Sequence, residues 1–438
     1  MAALCILLAA IFISFIYFTR GPQNTSSFTD ARKVSIQKKN DGYSFYRDGQ
    51  PFLVKGGAGY TYIKEMAASG GNTIICWDTS KLENALKEAA QYKVAVIIGL
   101  DVPGGEDVAF YKDEKNVAKL YGAYSKIVLR YKDNPSLLAW CLGNELVMPL
   151  SLMTSPFYKT YNSLLSMIHN SDPNHPVSTS TMNVAKKHIL NMQWRIPALD
   201  FICINTYNRL KSIEQDLNQI KFFWRGPYLV GEWAPNGGWE AEVTSWAAPI
   251  ENTSTKKAEQ YYDLFTKYMP VKDPRFLGSL AFYWGNRQEY THTWYSVFDE
   301  DGTPTEVQEV LNDCWRDTVT RHAAPQLEYM VLDSLGARDN IIVSSGSEHK
   351  VELLFAKQSS SDSLHYHWQI LKEDWQYWGQ TWRNFKKPPE QLGLLADSTL
   401  QNTSFKAPLK EGPYRVYITV YNSKGYCATA NTPFYVVE

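Results

Sequence analysis

The stretch Asn134–Glu145, NPSLLAWCLGNE, decides how this chain is read. Leu137–Leu142 is a short, unbroken apolar run between Pro135 and Gly143. A run of that length, bounded by turn residues, reads as a strand covered on both faces. One glycine later it reaches Asn144 and Glu145. Glutamate usually sits on a solvated surface, so one directly behind a buried strand is unusual. A second stretch repeats the pattern: in Pro227–Trp233, PYLVGEW, the run from Tyr228 to Gly231 leads straight into Glu232.

Outward from these two, the same kind of run recurs. Phe52–Gly56, Thr73–Trp77, Val94–Leu100, Val177–Ser180, Phe201–Asn205 and Ser279–Trp284 complete a set of eight candidate strands. Amphipathic segments of helical period lie between them, among them Ser80–Tyr92, Asn116–Tyr131, Phe157–His169, Lys211–Phe223 and Lys256–Tyr268. Alternating strands and helices predict an α/β fold, a (β/α)8 TIM barrel. A doubly wound open sheet is the alternative. It usually carries a G-x-G-x-x-G phosphate loop, which Gly56-Gly57-Ala58-Gly59 does not complete.

The pattern stops after Trp315. From Pro325, strand candidates at Val351–Phe355, Leu364–Ile370, Tyr414–Tyr421 and Phe434–Val437 predict a small antiparallel, immunoglobulin-like β-sandwich. The expected organisation is a hydrophobic segment over 1–20, a linker over 21–33, the barrel over 34–320 and the sandwich over 325–438.

Met1–Thr19 carries no charged side chain and is long enough to span a bilayer. It lacks a basic leader and a small-x-small cleavage site, which favours a signal-anchor over a cleaved signal. Arg20, Arg32, Lys33, Lys38 and Lys39 follow it, a bias that taken alone places the chain in the cytoplasm. A folded domain behind such a leader is more often exported. The expectation is a membrane-anchored or exported protein, periplasmic or extracellular.

Composition narrows the partners. The 438 residues carry a net charge of −1, so no electrostatic field draws nucleic acid. Aromatic residues make up 14% of the chain, which suits either a filled core or the stacking of sugar faces. The six cysteines form no C-x-x-C pair, and three fall inside apolar strands as small buried hydrophobes. No metal site and no cofactor are expected.

Taken together, GGNTIICWDT, NPSLLAWCLGNE, DFICINTY, PYLVGEWAPNGGWE and GSLAFYWGNRQE resemble, in order, segments of the clan A glycoside hydrolases, and in particular the bacterial family 2-like barrels. The resemblance covers roughly residues 34–315. The tail YRVYITVYNSKGYCATANTPFYVV resembles the sandwich appended to such proteins.

The resemblance implies a retaining glycosidase acting on a β-linked oligo- or polysaccharide, with Glu145 as general acid/base and Glu232 as nucleophile. It implies that Asn144 binds the sugar 2-hydroxyl and that Tyr207 contacts the nucleophile; a turn residue and a rim-packing residue are the alternatives. Trp284 would be a sugar platform or a core residue, and Trp77 and Trp233 lie near the same rim. His292 reads as a surface histidine. Trp375, Trp378 and Trp382 would form a sugar platform or an interface. One position departs from the resemblance: where the family carries an arginine, in G-G-N-T-I-Arg, this chain has Ile75. An arginine there would steady the nucleophile's charge. Tyr207, Asn205 and Arg287 are the candidate donors to replace it. A transglycosylase with the same residues, and a catalytically weak carbohydrate-binding protein on the same fold, are the other readings.

Overall fold

The computed structural model describes residues 33–39, 42–149, 155–222, 224–356, 363–373 and 386–438. The N-terminal apolar segment and Trp375, Trp378 and Trp382 lie outside them. Among the described residues no helix is long and apolar enough to cross a membrane.

The described chain begins with three short antiparallel strands, β1 (Val34–Lys39), β2 (Gly42–Arg47) and β3 (Gln50–Phe52). Eight parallel strands follow: β4 (Val54–Ala58), β5 (Thr73–Cys76), β6 (Ala95–Leu100), β7 (Leu137–Leu142), β8 (Val177–Met182), β9 (Phe201–Thr206), β10 (Tyr228–Trp233) and β11 (Phe276–Phe282). They pair in sequence order, and β11 closes onto β4 to make a barrel. All eight expected strands are present. Most are buried along their whole length because crossover helices cover the outside and their own side chains fill the inside.

In chain order the described helices are α1 (Ile63–Ala68), α2 (Leu82–Tyr92), α3 (Val108–Lys112), α4 (Glu114–Tyr131), α5 (Pro156–Ser171), α6 (Lys186–Arg195), α7 (Ile213–Ile220), α8 (Ser254–Tyr268) and α9 (Glu306–Arg316). Their starts follow local rules. Asp113 caps α4 by accepting from the Lys115 N–H, and Ser155 caps α5 with Pro156 in the first turn, where its missing N–H costs nothing.

The small sheet β1–β3 closes the N-terminal mouth of the barrel. Val34 N donates to Asn174 O, Tyr43 N to Pro274 O and Arg47 Nη2 to Pro135 O. Each acceptor lies just before a barrel strand. Phe45, with no exposed surface, sets its ring edge-on against Phe201 at the start of β9, 5.4 Å between centroids.

Beyond the barrel, β12 (Leu327–Leu332), β14 (Glu348–Phe355) and β16 (Thr403–Lys406) form one sheet. β13 (Ile342–Ser344), β18 (Cys427–Val437), β17 (Gly412–Asn422) and β15 (Leu364–Lys372) form the other. Their facing sides share one core that includes Trp368, Val351, Phe405, Ile418 and Phe434. This is the expected sandwich, with one correction: β13 pairs with β18 in parallel, so the second sheet is mixed.

Two compact units result, and they do not part at residues 320–325. One ends at Trp233 and takes back Tyr268–Phe282; the other comprises Ala234–Lys267 and Tyr283–Glu438. A buried polar network explains the second unit's extent. Glu251 accepts from Lys257 Nζ, Thr291, Thr293 and Asn431 of β18, while Arg415 of β17 joins Glu373 and the Pro249 carbonyl. A buried charge left without partners is costly, so these elements stay together.

A second polar cluster fixes the chain between α9 and β12. Glu306, Glu309 and Asp313 share one face of α9 and are all buried. The backbone N–H groups of Ala323 and Ala324 donate to Glu309. His322 bridges the other two acids, Nδ1 at 3.0 Å from Glu306 and Nε2 at 3.1 Å from Asp313. The bond to Glu306 foremost, with the help of Asp313, raises the His322 pKa to about 9 against the opposing effect of burial. That is above the value of about 6.5 for an unfolded chain. Its stabilisation is therefore complete below pH of about 6.5 and is lost as pH rises through about 9. The melting temperature is expected to fall between pH 7 and 9.5, and less steeply in His322→Gln. Equal slopes in the two proteins would show that this clasp does not titrate.

Candidate active site

Glu145 and Glu232 stand at the C-terminal ends of β7 and β10, the fourth and seventh barrel strands. How each is aimed follows from the residues beside it. After β7 the chain turns at Gly143, whose φ is +84°. A Cβ there would lie 2.3 Å from Leu146 Cδ1, so glycine is required on two counts. Gly143 N donates to Leu100 O of β6, and its carbonyl accepts from Ser180 N of β8. Glu145 itself has φ +49°, a conformation that a non-glycine residue holds only when its surroundings enforce it. The ties to both flanking strands supply that enforcement.

Glu232 is re-aimed by a different device. The register of β10 slips between Val230 and Glu232 against β9, and between Val230 and Trp233 against β11. Such a bulge redirects a side chain. Glu232 is buried, 8% exposed, and Tyr207 Oη donates to its Oε2 at 3.1 Å. Tyr207 follows β9, and its own ring packs edge-on against Phe282.

Of the three candidate donors, Tyr207 is seen to donate to Glu232. Ile75 is buried in β5 and brings no charge. Arg287 pairs with Glu289 at 2.6 Å, and burial pushes the Glu289 carboxyl up despite that partner. Asn205 serves Glu145 instead: its Nδ2 donates to Glu145 Oε1 at 3.0 Å and to Asn144 Oδ1 at 3.3 Å. Asn144, Glu145 and Asn205 form one cluster, and Tyr207 and Glu232 form another. The two meet in the register, where Asn205 is the backbone partner of Glu232.

Beneath them the barrel interior is small and polar. Ser178 Oγ lies 3.5 Å from Cys203 Sγ and donates to Trp140 O. Burial pushes the Cys141 thiol up, with Cys203 and, more weakly, Glu232 adding to the effect. A thiol held protonated is a poor nucleophile, which argues against chemistry at Cys141. The five described cysteines are all buried and unpaired.

The tryptophans separate. Trp77 is partly buried after β5, and its ring occupies the space left by Gly99, where a Cβ would fall 2.1 Å from it. Trp233 is fully buried. Trp284 is also fully buried, 5.1 Å from the Phe298 ring and 5.4 Å from Trp315. A ring with no exposed surface offers no face to a sugar, so Trp284 takes the packing role rather than the expected platform. Trp239 is exposed, at 51%. His292 is a further correction. It is buried beside Tyr417, and burial lowers its pKa to about 3, so it stays neutral. Among the described residues no group of three or more His, Cys, Asp or Glu is placed to hold a metal ion.

No protein-family profile matches the chain. Over 77 residues, 17% of this chain and 17% of the relative, it is 39% identical to mannan endo-1,4-beta-mannosidase F of Aspergillus clavatus. Among solved structures it is similar to a calcium-binding mutant of Bacteroides uniformis beta-glucuronidase 2. That match has a TM-score of 0.50 at 13% identity, over 92% of this chain and 48% of the other. A beta-galacturonidase from Eisenbergiella tayi, bound to galacturonate, has a TM-score of 0.50 at 13% identity, over 66% and 55%. The chain thus spans about half the length of these structures and a sixth of the mannosidase. At such identities the likeness is one of fold: a TIM barrel followed by β-sheets.

Proposed function

We propose that this chain is a retaining β-glycoside hydrolase with Glu145 as general acid/base and Glu232 as nucleophile. The observation that carries the reading is the pair of strand-end carboxylates, each with its own hydrogen-bond donor. Tyr207 donates to Glu232 and Asn205 to Glu145. Two carboxyl groups in different surroundings can divide acid and nucleophile roles on one glycosidic bond. Asn144, beside the acid, is suited to hold the sugar 2-hydroxyl, a contact that strengthens as charge develops at the anomeric carbon.

In the first step Glu145 gives its proton to the leaving oxygen while Glu232 bonds to the anomeric carbon from the other face. In the second, Glu145 takes a proton from water, which displaces Glu232. The net outcome keeps the anomeric configuration. A transglycosylase would use a sugar hydroxyl in place of that water. β-Mannan heads the list of substrates to try, given the named activity of the relative matched over 77 residues. Uronide-containing β-glycans come next, given the named structural neighbours. Export or membrane anchoring through Met1–Thr19 is part of this proposal, since a polysaccharide substrate lies outside the cell.

Tyr207 gives the reading a test. Its hydroxyl donates to Glu232 and so favours the ionised form that attacks. In Tyr207→Phe that donor is gone, so the Glu232 pKa should rise. Activity that needs ionised Glu232 would then fail at a higher pH as pH is lowered. The acidic limb of kcat/KM is expected to move upward relative to wild type. An unchanged limb would remove Tyr207 from the nucleophile's tuning. The carbohydrate-binding alternative rests on Ile75, which supplies no positive charge where the resembled family has one.

A further inference from the structure

We propose that Trp239 is a platform on which one neutral pyranose ring of a β-linked glycan stacks. The inference deepens the reading of this chain as a β-glycosidase and rests on it for the class of ligand.

Trp239 is 51% exposed, and the residues around it keep its ring in one place. It belongs to a single 3-10 turn, Gly238–Glu240, on the segment that leaves β10. Glu240 closes that turn twice: its N–H donates to Gly237 O and its Oε2 accepts from Gly237 N, each at 2.9 Å. Two glycines make the room. A Cβ at Gly237 would fall 2.5 Å from Cε2 and Cζ2 of the indole and 2.8 Å from Cδ2. Similar distances to three atoms, two of them at the ring fusion, put Gly237 under the face of the ring rather than at its edge. The exposure of the indole therefore lies on its other face. A Cβ at Gly238 would fall 2.4 Å from Cε1 of Tyr290.

Tyr290 is the second support. Its buried ring tilts at 50° against the indole, 6.3 Å between centroids. Its φ is +67°, which a bulky residue holds only under constraint. The residues that follow supply the constraint. Thr291 and Thr293 donate to the two oxygens of buried Glu251, at 2.6 and 2.8 Å, and Lys257 Nζ donates to Thr293 O at 2.6 Å. Trp294 packs 5.4 Å from the Tyr290 ring and donates its Nε1 to Asn236 O at 3.0 Å. That bond returns the tie to the residue before Gly237. All of these residues belong to the second unit.

Size and charge choose the occupant. One face of an indole offers about 100 Å², a part of what a whole aromatic side chain buries. A stable protein interface takes about 800 Å² from each partner. The patch is too small for a second copy of this chain and matches one sugar ring. The C–H bonds of a pyranose make an apolar face, and their weakly positive hydrogens meet the negative face of the π-system. The carboxylate of Glu240, held in the same turn, disfavours an anionic sugar by like charge. The ligand is a neutral hexopyranose unit rather than a uronide.

The test is retardation of the full chain in native gels cast with soluble β-galactomannan, β-glucan or polyglucuronate. Glu232→Gln is the parent, so that the glycan stays intact. A neutral β-glycan is expected to retard it. Trp239→Ala should weaken the apparent affinity about tenfold, the worth of one stacked ring, and Trp239→Phe should recover part of the loss. Gly237→Ala keeps the indole and sets a Cβ where the ring now lies. The φ of −66° at Gly237 admits alanine, so a loss of affinity there reads the placement of the ring. Melting temperatures close to that of the parent check that each variant is folded.

Equal affinity of the parent and Trp239→Ala would overturn the proposal. So would stronger retardation by polyglucuronate than by the neutral glycans, or retardation by none of the three. Loss of a dimer on sedimentation of Trp239→Ala, with glycan retardation unchanged, would make the indole a contact between copies instead. The glycosidase reading fails separately, if wild type binds a glycan and never cleaves it.

Discussion

Glu232→Gln is expected to lower turnover of a β-linked glycan by on the order of 10⁴-fold or more while the barrel stays folded. The size of the effect follows from the mechanism. An amide in place of the carboxylate cannot form the glycosyl-enzyme bond, so the whole double displacement is lost. The fold should survive because glutamine has the same shape and its carbonyl can still accept from Tyr207, which now donates to Oε2 at 3.1 Å. Initial rates and thermal melting of the two proteins check both halves. A variant that keeps a tenth or more of wild-type turnover would mean that Glu232 is not the nucleophile. A variant that loses activity together with its melting transition would call for Glu232→Asp, which moves the carboxylate back by one bond and keeps its charge.

Glu145→Gln is expected to cost about 10²–10⁴ in kcat/KM on an unactivated glycan, the usual worth of a positioned acid. On an aryl glycoside with a good leaving group the same variant should lose little, since the departing oxygen needs no proton. The slope of rate against leaving-group pKa would then become steeper than in wild type. This difference separates an acid from a residue that only shapes the site. A purely structural role would depress both substrates alike, and that result would contradict the assignment.

Much of the fold is legible in the sequence alone. The barrel strands are visible because strands covered on both faces are written as unbroken apolar runs, and Leu137–Leu142 and the Tyr228–Gly231 part of β10 are cases in point. The two glutamates stand out because they end such runs. In the sandwich β14, β15, β17 and β18 were readable, but β12, β13 and β16 were not. Strands as short as Ile342–Ser344 and Thr403–Lys406 owe their pairing to neighbours distant in sequence. The role of Trp284 is not written in the sequence for a related reason. Its place at a strand end is a backbone fact, whereas the direction of its ring depends on Phe298 and Trp315. His292 was misread likewise, since its burial comes from β17. From sequence Asn205 reads only as a donor to Glu232. Its link to Glu145 depends on the bulge at Gly231 and on the left-handed turn at Glu145, and no periodicity announces either. The polar residue in the run Phe201–Asn205 was nonetheless a signal that this strand does more than pack.

The central claim is that Glu232 performs nucleophilic catalysis on a β-glycosidic bond with retention. The direct measurement is proton NMR of the first-formed reducing end. It is to be recorded during digestion of a panel of β-linked polysaccharides, β-mannan first, with wild type and Glu232→Gln side by side. The account predicts that wild type releases the β-anomer before mutarotation and that the variant releases none. Initial release of the α-anomer, equal release by both proteins, or tight binding of a glycan that wild type never cleaves would contradict it.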